Sequence, residues 1–425
     1  MFWIAEKEED LDNFNPDRLF VELILHNDKV HPALNDITAI YLREVGESKG
    51  YIIPVDHTEG MNVDRETVLE LLSRTKEVFV RDKKQFLYYY NLSNISDINF
   101  IQYKKIEEDT KTHEWYYRKH SEHKKINSII PLAKHYEKCE NIYKKVEKIL
   151  LQEKPTCFKF YNRDVTGVFW FIEQQGLTIT SPELYLKTPH LEYSYQDAKI
   201  YTCYNLNTTT TRPSNAFNNI NFAGLNKEDG TRKFIVPEND FLLEVDLNAY
   251  HPTLIANIIG YTYEEDSIYE HFSKLLDVDI AKAKELTFIF LYKGVPKEYM
   301  HLKYFKEVDR LIRDLWEDYC SEGFIECPIS NYRFEKILGE TMNPQKLFNY
   351  YIQNLETSTN VRLLKKILPK LVGKSKLILY TYDAFLFDAA KEERHLIKEI
   401  LNIFEEHNLK VKISYGSDYD SLTKL

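Results

Sequence analysis

Two aspartates lie in apolar segments that predict β-strands far apart in the sequence. Asp246 is near the end of the run FLLEVDL, and Asp383 lies within the run KLILYTYDAFLFDA. Two strands that each present a carboxylate predict a divalent-metal site, because hard cations such as Mg²⁺ bind oxygen ligands. A pair of such ions is the usual apparatus of nucleotidyl transfer, since each ion neutralises charge on the attacking or leaving oxygen. The alternative is that both are strand-end aspartates with solvated carboxylates.

A segment between the two aspartates, DVDIAKAKELTFIFLYKG, predicts a helix with one distinctive face. Lys284, Phe288 and Tyr292 are spaced four and four, so at 3.6 residues per turn they point the same way. An ammonium can reach phosphate oxygens and an aromatic ring can stack on a base, which suits an incoming nucleoside triphosphate. The alternative is a buried apolar stripe with a lysine whose charge reaches solvent.

In their order along the chain, these segments resemble motifs A, B and C of family A DNA polymerases, the type found in bacteria, their phages and organelles. EVDLNAYHPTLIANIIGY resembles motif A through Asp246, and YTYDAFLFD resembles motif C at Asp383 only. KELTFIFLYKG resembles motif B with one inserted residue, Lys293, before Gly294. The resemblance covers the chain from about residue 165 onward and implies an α/β (α+β) polymerase core of palm and fingers.

The resemblance also implies a site for two-metal nucleotidyl transfer. Asp246 and Asp383 would be the catalytic ligands of two Mg²⁺ ions, with the Leu247 carbonyl as a further ligand and Mn²⁺ as the alternative ion. Lys284 would bind the triphosphate. The residues expected around the base and sugar are Phe288, Tyr292, Tyr250 and His251.

Weaker motifs flank this core. FWFIEQQGLTI resembles the helix that opens the polymerase domain, with Glu173 and Gly176 at the positions that match. TTTTRPSN, GTRKFIVP and NYYIQNLETSTNV resemble family segments that contact the primer-template. The residues that these segments would place near DNA are Arg212, Arg232, Asn349 and Gln353.

The sequence departs from the family at several positions. His251 replaces the glutamate that acts against ribonucleotides, so an aromatic ring at Tyr250 or His251 is the expected substitute beneath the sugar. Ile280 stands where the family usually has a phosphate-binding arginine. Ala384 replaces the acid that follows the motif C aspartate, which leaves the two principal metal ligands.

The first hundred residues predict strands that alternate with a helix, and they resemble a ribonuclease H-like 3′–5′ exonuclease domain. Its acids are mostly missing: the first strand offers only Glu22, and FVRDKKQFL has Asp82 and Lys84 but Phe86 where an aspartate is expected. Without a carboxylate cluster, the two metals of hydrolytic proofreading cannot be held. We therefore predict a degenerate exonuclease-like domain at 1–110.

Residues 111–165 form a predicted basic helical connector before the polymerase domain at 166–425. Aromatic and basic residues alternate in HEWYYRKHSEHKK, which suits a phosphate backbone, whereas a solvated amphipathic helix is the alternative for the lysine-rich part. Fewer than forty residues separate Gly176 from Arg212, where the family has a long thumb. The sequence thus predicts a reduced thumb and low processivity.

Composition sets wider bounds. The 425 residues include 66 acidic and 56 basic side chains, a net charge of −10, which argues against loose, purely electrostatic binding to nucleic acid. The 5 cysteines show no CxxC pair, so reduced thiols are expected. We expect no membrane span and no signal peptide, and a cytoplasmic location, in a host cell if the protein is viral.

The predicted function is template-directed addition of deoxynucleotides to a primer 3′ end, without proofreading. The predicted partners are primer-template DNA and deoxynucleoside triphosphates, with a processivity factor as a candidate. The alternatives are a ribonucleotide-using or RNA-templated polymerase, and a non-catalytic relative that binds nucleic acid.

Overall fold

The computed structural model describes residues 3–5, 11, 14–102, 126–181, 194–215, 220–226, 228–336 and 341–425. It divides into two compact units. The N-terminal unit comprises Met1–Trp170 and His190–Gln196, and the C-terminal unit comprises Phe171–Pro189 and Asp197–Leu425. In the part of the chain described, no helix is long and apolar enough to cross a membrane.

The N-terminal unit is built on a six-stranded sheet. Its strands are β1 (Trp3–Ile4), β2 (Arg18–Leu25), β3 (Ile37–Glu44), β4 (Tyr51–Pro54), β5 (Glu77–Val80) and β6 (Ile95–Asp97). They follow the order β1-β4-β3-β2-β5-β6, with β2, β3 and β4 antiparallel and β5 and β6 parallel to β2. The Val/Ile/Leu-rich runs predicted as strands pack into one buried core.

The remaining strands are short, apart from those of one sheet in the C-terminal unit. They are β7 (Leu177–Ile179), β8 (Tyr195–Gln196), β9 (Lys199–Ile200), β10 (Tyr204–Asn205), β11 (Ser214–Asn215), β12 (Ile235–Val236), β13 (Phe241–Leu247), β14 (Phe324–Glu326), β15 (Arg333–Glu335), β16 (Lys376–Tyr380), β17 (Ala384–Ala389), β18 (Val411–Gly416) and β19 (Thr423–Lys424).

Helices supply most of the remaining structure. They are α1 (Arg65–Arg74), α2 (Lys83–Phe86), α3 (Asn99–Gln102), α4 (Leu132–Leu150), α5 (Thr166–Gln175), α6 (Tyr250–Ile258), α7 (Ile268–Leu276), α8 (Ile280–Lys293), α9 (Lys303–Ser321), α10 (Pro344–Ile367) and α11 (Arg394–Glu405). Shorter 3-10 segments include Thr231–Phe234 and Lys297–Tyr299.

Local sequence explains where the helices of the C-terminal unit begin. The side chains of Asp279 and Asn343 accept the backbone N–H groups of Lys282 and Lys346, each at 2.8 Å, and so cap α8 and α10. Proline at the first position of α10 fits the same rule, because its missing N–H needs no partner there. At the end of α5, Gly176 adopts φ 64°, a left-handed conformation that a side chain would strain.

The central sheet of the C-terminal unit positions the candidate site. Its order is β16-β17-β13-β18-β19, and every neighbouring pair is antiparallel. β13 lies in the middle, and α6 follows it after the residue pair Asn248 and Ala249. α10 packs on α6, α8, α9 and α11, so it contacts most of the helices in the C-terminal unit.

The predicted mixed α/β class is confirmed, with one correction at the second aspartate. The apolar run KLILYTYDAFLFDA is two strands, β16 and β17, and Asp383 lies in the turn between them. The turn forms because Thr381 and Ala384 pair across it while Tyr382 takes a positive φ of 71°. Apolar composition alone hides such a turn, because neither glycine nor proline marks it. The division at 110 and 165 remains a prediction.

Candidate active site

Strand register brings the two aspartates to one corner of the central sheet. β13 pairs with β17 so that Asp246 lies opposite Ala384, and the Leu247 N–H donates to the Asp383 carbonyl oxygen at 2.7 Å. Asp246 and Asp383 are therefore diagonal neighbours, with Cα atoms roughly 6 Å apart. Two acids more than a hundred residues apart in sequence thus share one small region of the surface.

The Asp383 carboxyl has an unfavourable electrostatic setting. The residue is accessible to solvent, yet the protein around it buries the carboxyl enough to raise its pKa above the usual range of aspartate. The negative charge of Glu356 raises that pKa further, whereas Arg212 and His251 lower it. A cation at this position would therefore relieve a cost that the protein alone leaves in place.

Asn360 on α10 holds the turn that carries Asp383. Its side-chain amide donates to the Tyr382 carbonyl oxygen at 2.8 Å and to the Tyr380 hydroxyl at 3.0 Å. Its side-chain oxygen accepts the Tyr250 hydroxyl at 2.6 Å. Because Asn360 is only 1% exposed, these bonds do not compete with water, and they fix the positive φ of Tyr382.

The α8 residues Lys284, Phe288 and Tyr292 share one face. Lys284 and Phe288 are exposed and Tyr292 is half-buried, while the neighbouring Thr287 and Leu291 are buried. The rings of Phe288 and Tyr292 lie 5.9 Å apart with a 30° tilt. A phenylalanine that is 41% exposed, beside an exposed lysine, provides an accessible aromatic and cationic surface.

The structure separates the two aromatic candidates that begin α6. Tyr250 is 5% exposed and directs its hydroxyl to Asn360, and burial raises the pKa of that hydroxyl well above its usual range. His251 instead lies between Tyr292, whose hydroxyl contacts Nδ1, and Glu356, whose Oε2 contacts Nε2. Of the pair, His251 is the one that contacts the face of α8 that carries Tyr292.

Arg212 is held by α10 and by the Asp383 turn. Its Nε donates to Glu356 Oε1 at 3.0 Å, and its guanidinium lies 3.8 Å from the centre of the Tyr382 ring. The side chain keeps 29% of its surface exposed, whereas that of Glu356 keeps 1%. Part of the guanidinium therefore remains available to a ligand.

The other predicted DNA-binding residues have different settings. Asn349 and Gln353 are half-buried neighbours on α10, and the Gln353 amide donates to the Asn349 side-chain oxygen at 3.1 Å. Arg232 is 9% exposed; its guanidinium donates to the Leu225 carbonyl oxygen at 3.0 Å and lies over the Tyr419 ring at 4.6 Å. The structure thus places Asn349 and Gln353 together and Arg232 in an internal cluster.

Sequence reasoning did not identify Glu356 and Asn360 as members of the site. The available signal was the run NLETSTN in α10, where six of seven residues are polar in an otherwise partly apolar helix. The last five of these residues are buried, which is costly unless each polar group finds a partner. A fully buried polar segment of this length marks an internal network.

In the N-terminal unit, the predicted acid Glu22 and the buried Asp97 are both bound by other groups of the protein. Glu22 on β2 accepts Arg81 Nε at 2.8 Å, and both side chains are largely buried. Asp97 at the end of β6 accepts the backbone N–H groups of Lys83 at 2.8 Å and Asn99 at 2.9 Å. The Arg81 guanidinium therefore pairs with Glu22, and the backbone N–H groups at the starts of α2 and α3 bind Asp97.

Two predicted features fall outside the described residues. The aromatic and basic part of the connector lies within 103–125, and part of the short thumb interval lies within 182–193. The lysine-rich part of the connector is described, and it forms α4 with one buried apolar face and exposed lysines. An amphipathic helix was the alternative that the sequence offered for this part.

The residues of the sheet corner fit a divalent cation that binds together with a phosphate. Over the described ranges, no three His, Cys, Asp or Glu side chains form a metal-binding group. Two carboxylates and a backbone carbonyl are nevertheless a suitable set for Mg²⁺, which keeps several waters and commonly takes further oxygens from substrate phosphates. Burial and the charge of Glu356 raise the pKa of the Asp383 carboxyl, so a cation beside it would stabilise its ionised form.

The fold of this chain has a counterpart among solved structures. Among solved structures, the chain is similar to the POL domain of Pol1 from M. smegmatis, determined in complex with DNA primer-template and dNTP. The TM-score is 0.66 over 98% of each chain, and the sequence identity is 13%. No family model matches the sequence. No curated protein matches it either.

Proposed function

We propose that this protein is a template-directed DNA polymerase of the family A type. The observation that carries the proposal is the corner of the central sheet, where Asp246 on β13 and Asp383 in the turn before β17 lie beside Arg212 and His251. The polymerase-domain fold supports it, because the same fold in another protein accommodates a primer-template and a dNTP. Two Mg²⁺ ions are the proposed cofactor, with Mn²⁺ as the alternative.

Asp246, Asp383 and the Leu247 carbonyl would hold the metal ions. When bound, the ions supply Lewis-acid stabilisation of the attacking and leaving oxygens. Lys284 on the exposed face of α8 binds the triphosphate as a point charge. Phe288 and Tyr292 pack against the nucleotide, so that α8 orients its α-phosphate towards the primer terminus.

The remaining residues position the primer and template. Arg212 presents the exposed part of its guanidinium to the primer-template, while Glu356 and the Tyr382 ring fix its direction. Asn349 and Gln353 lie on the half-exposed face of α10, where amides can contact base edges. The primer 3′-hydroxyl attacks the α-phosphate in line, and pyrophosphate leaves. Asn360 holds the Asp383 turn throughout the reaction.

The test is primer extension with Asp246→Asn and Asp383→Asn. Each variant is expected to lose at least about 100-fold in nucleotide incorporation, because one metal ligand is missing in each. Removing Mg²⁺ with a chelator should abolish the wild-type reaction. Asp314→Asn, an exposed aspartate on α9, is the matched control and should extend primers at the wild-type rate.

Thermal unfolding separates chemistry from folding in the same experiment. Both active-site variants should keep a cooperative transition near that of the wild type. A variant that unfolds normally and still extends primers at a substantial fraction of the wild-type rate would refute the assignment of its aspartate.

A further inference from the structure

Glu356 was not among the predicted site residues, yet it contacts two of them, Arg212 and His251. It is almost fully buried in α10, and each of its two carboxylate oxygens has a different partner. Oε1 accepts Arg212 Nε at 3.0 Å, and Oε2 contacts His251 Nε2. The two partners are 144 and 105 residues away in sequence.

The contacts continue from His251 to the nucleotide-facing helix. His251 Nδ1 contacts the Tyr292 hydroxyl, and the Tyr292 ring lies beside Phe288. Both ring nitrogens of His251 are therefore held, one by α10 and one by α8. An imidazole restrained at both nitrogens cannot turn about its side-chain torsions without breaking a partly buried hydrogen bond.

The chemistry of the partners fixes the direction of these bonds. A carboxylate only accepts, so His251 Nε2 carries a proton and donates to Glu356. Burial, with the charge of Glu356, raises the pKa of Tyr292, so its hydroxyl stays protonated. With neutral histidine, the Tyr292 O–H donates to Nδ1, and the chain of donors runs from Tyr292 through His251 to Glu356.

On the basis of the proposed polymerase function, we infer that Glu356 is a positioning residue for sugar selection. It holds the His251 imidazole rigidly beside Tyr292, where the ring leaves no room for the 2′-hydroxyl of a ribonucleotide. A mobile ring would move aside for the 2′-hydroxyl oxygen. A ring held at both nitrogens keeps its place and excludes that atom. Glu356 thus supplies, from α10, a carboxylate that acts through an imidazole on α6.

Two variants distinguish this role from general support of the fold. Glu356→Ala removes both acceptors and frees the ring. Glu356→Gln keeps the shape of the side chain: its amide oxygen must face Arg212, which only donates, and its NH₂ must face His251 Nε2. The imidazole then accepts at Nε2 and donates from Nδ1 to Tyr292, so the ring stays held by the opposite tautomer.

The experiment measures kcat/KM for a dNTP and for the matching NTP on one primer-template. Glu356→Ala should lower the dNTP:NTP ratio by roughly tenfold, mainly through a higher kcat/KM for the NTP. Glu356→Gln should keep the ratio within about twofold of the wild type, whatever its effect on the absolute rate. Glu317→Ala, an exposed glutamate on α9, is the matched control.

A double-mutant cycle tests whether Glu356 acts through His251. In a His251→Ala background, Glu356→Ala should leave the ratio unchanged, because the ring that it positions is absent. If Glu356→Ala fails to fold, ¹⁵N NMR of the histidine rings in Glu356→Gln keeps the inference testable. The His251 signals, assigned by their loss in His251→Ala, should show the tautomer with the proton on Nδ1.

The outcomes separate this inference from the function on which it rests. A wild type that incorporates neither nucleotide would refute the polymerase proposal and the inference with it. A wild type that extends primers but uses both sugars equally, or a Glu356→Ala variant with an unchanged ratio, would overturn the inference alone. An unchanged His251 tautomer in Glu356→Gln would also overturn it.

Discussion

Single residues in the C-terminal unit do their work by satisfying several buried partners at once. Asn360 joins the Tyr250 hydroxyl, the Tyr380 hydroxyl and the Tyr382 carbonyl oxygen, and so connects α6, β16 and the Asp383 turn. A buried polar group that loses its partner costs more than the bond itself contributes, because the group cannot return to water. The position of Asp383 thus depends on a buried residue that lies outside the turn itself.

We therefore expect Asn360→Ala to lower stability more than its size implies. Two tyrosine hydroxyls and one carbonyl oxygen lose a buried partner, at a cost of about 2 kcal/mol or more. The Tm of the C-terminal unit should fall by several degrees in differential scanning calorimetry. Asn402→Ala, at an exposed position on α11, should change the Tm by less than about 1 °C. Equal shifts in the two variants would contradict the network described here.

At the scale of elements, an acid of the N-terminal sheet is neutralised by a neighbouring strand instead of being available to a metal ion. Arg81, just after β5, pairs with Glu22 on β2, so adjacent parallel strands are joined by a largely buried ion pair. Breaking such a pair leaves an uncompensated charge, which is why both members are needed together. A carboxylate already neutralised by a guanidinium is a poor ligand for Mg²⁺.

This arrangement predicts that the protein has no proofreading activity. A primer with a mismatched 3′ end, labelled at its 5′ end, should stay at full length when incubated with Mg²⁺ or Mn²⁺ in the absence of dNTP. The Asp246→Asn variant serves as a background control, because it removes any shortening by reversal of the polymerase reaction. Metal-dependent removal of the mismatched nucleotide by that variant would show that the N-terminal unit holds a working nuclease site.

At the scale of the molecule, charge and chain length constrain how the proposed polymerase would bind nucleic acid. The net charge is −10, so attraction to DNA must come from local groups such as Arg212 and Lys284. The interval from Gly176 to Arg212 is too short for a long helical thumb like that of family A. Both observations favour a weak grip on the duplex.

Low processivity is the expected consequence. With a heparin trap that captures released enzyme, the protein alone should add far fewer than a hundred nucleotides per encounter with a primer. Raising the salt concentration should shorten the products further, because phosphate contacts release counterions and weaken steeply with salt. Products of several hundred nucleotides in the presence of the trap would refute a reduced thumb as the limit on synthesis.

The sequence by itself determined the mixed α/β class and several of the local elements. An apolar run placed the strand that ends at Leu247, and helical spacing placed the helix that carries Lys284, Phe288 and Tyr292, because both patterns are local properties of the chain.

Only the tertiary structure decided which distant residues meet. Arg212 and His251 meet at Glu356, Asn360 holds the Asp383 turn, and Arg81 neutralises Glu22, yet no local pattern encodes these pairs. Tyr250 and His251 are adjacent in sequence. The packing of α6 and α8 on α10 directs the Tyr250 side chain inward to Asn360 and the His251 side chain towards Tyr292. Side-chain partners across a fold depend on how whole elements pack, and sequence spacing carries no record of that packing.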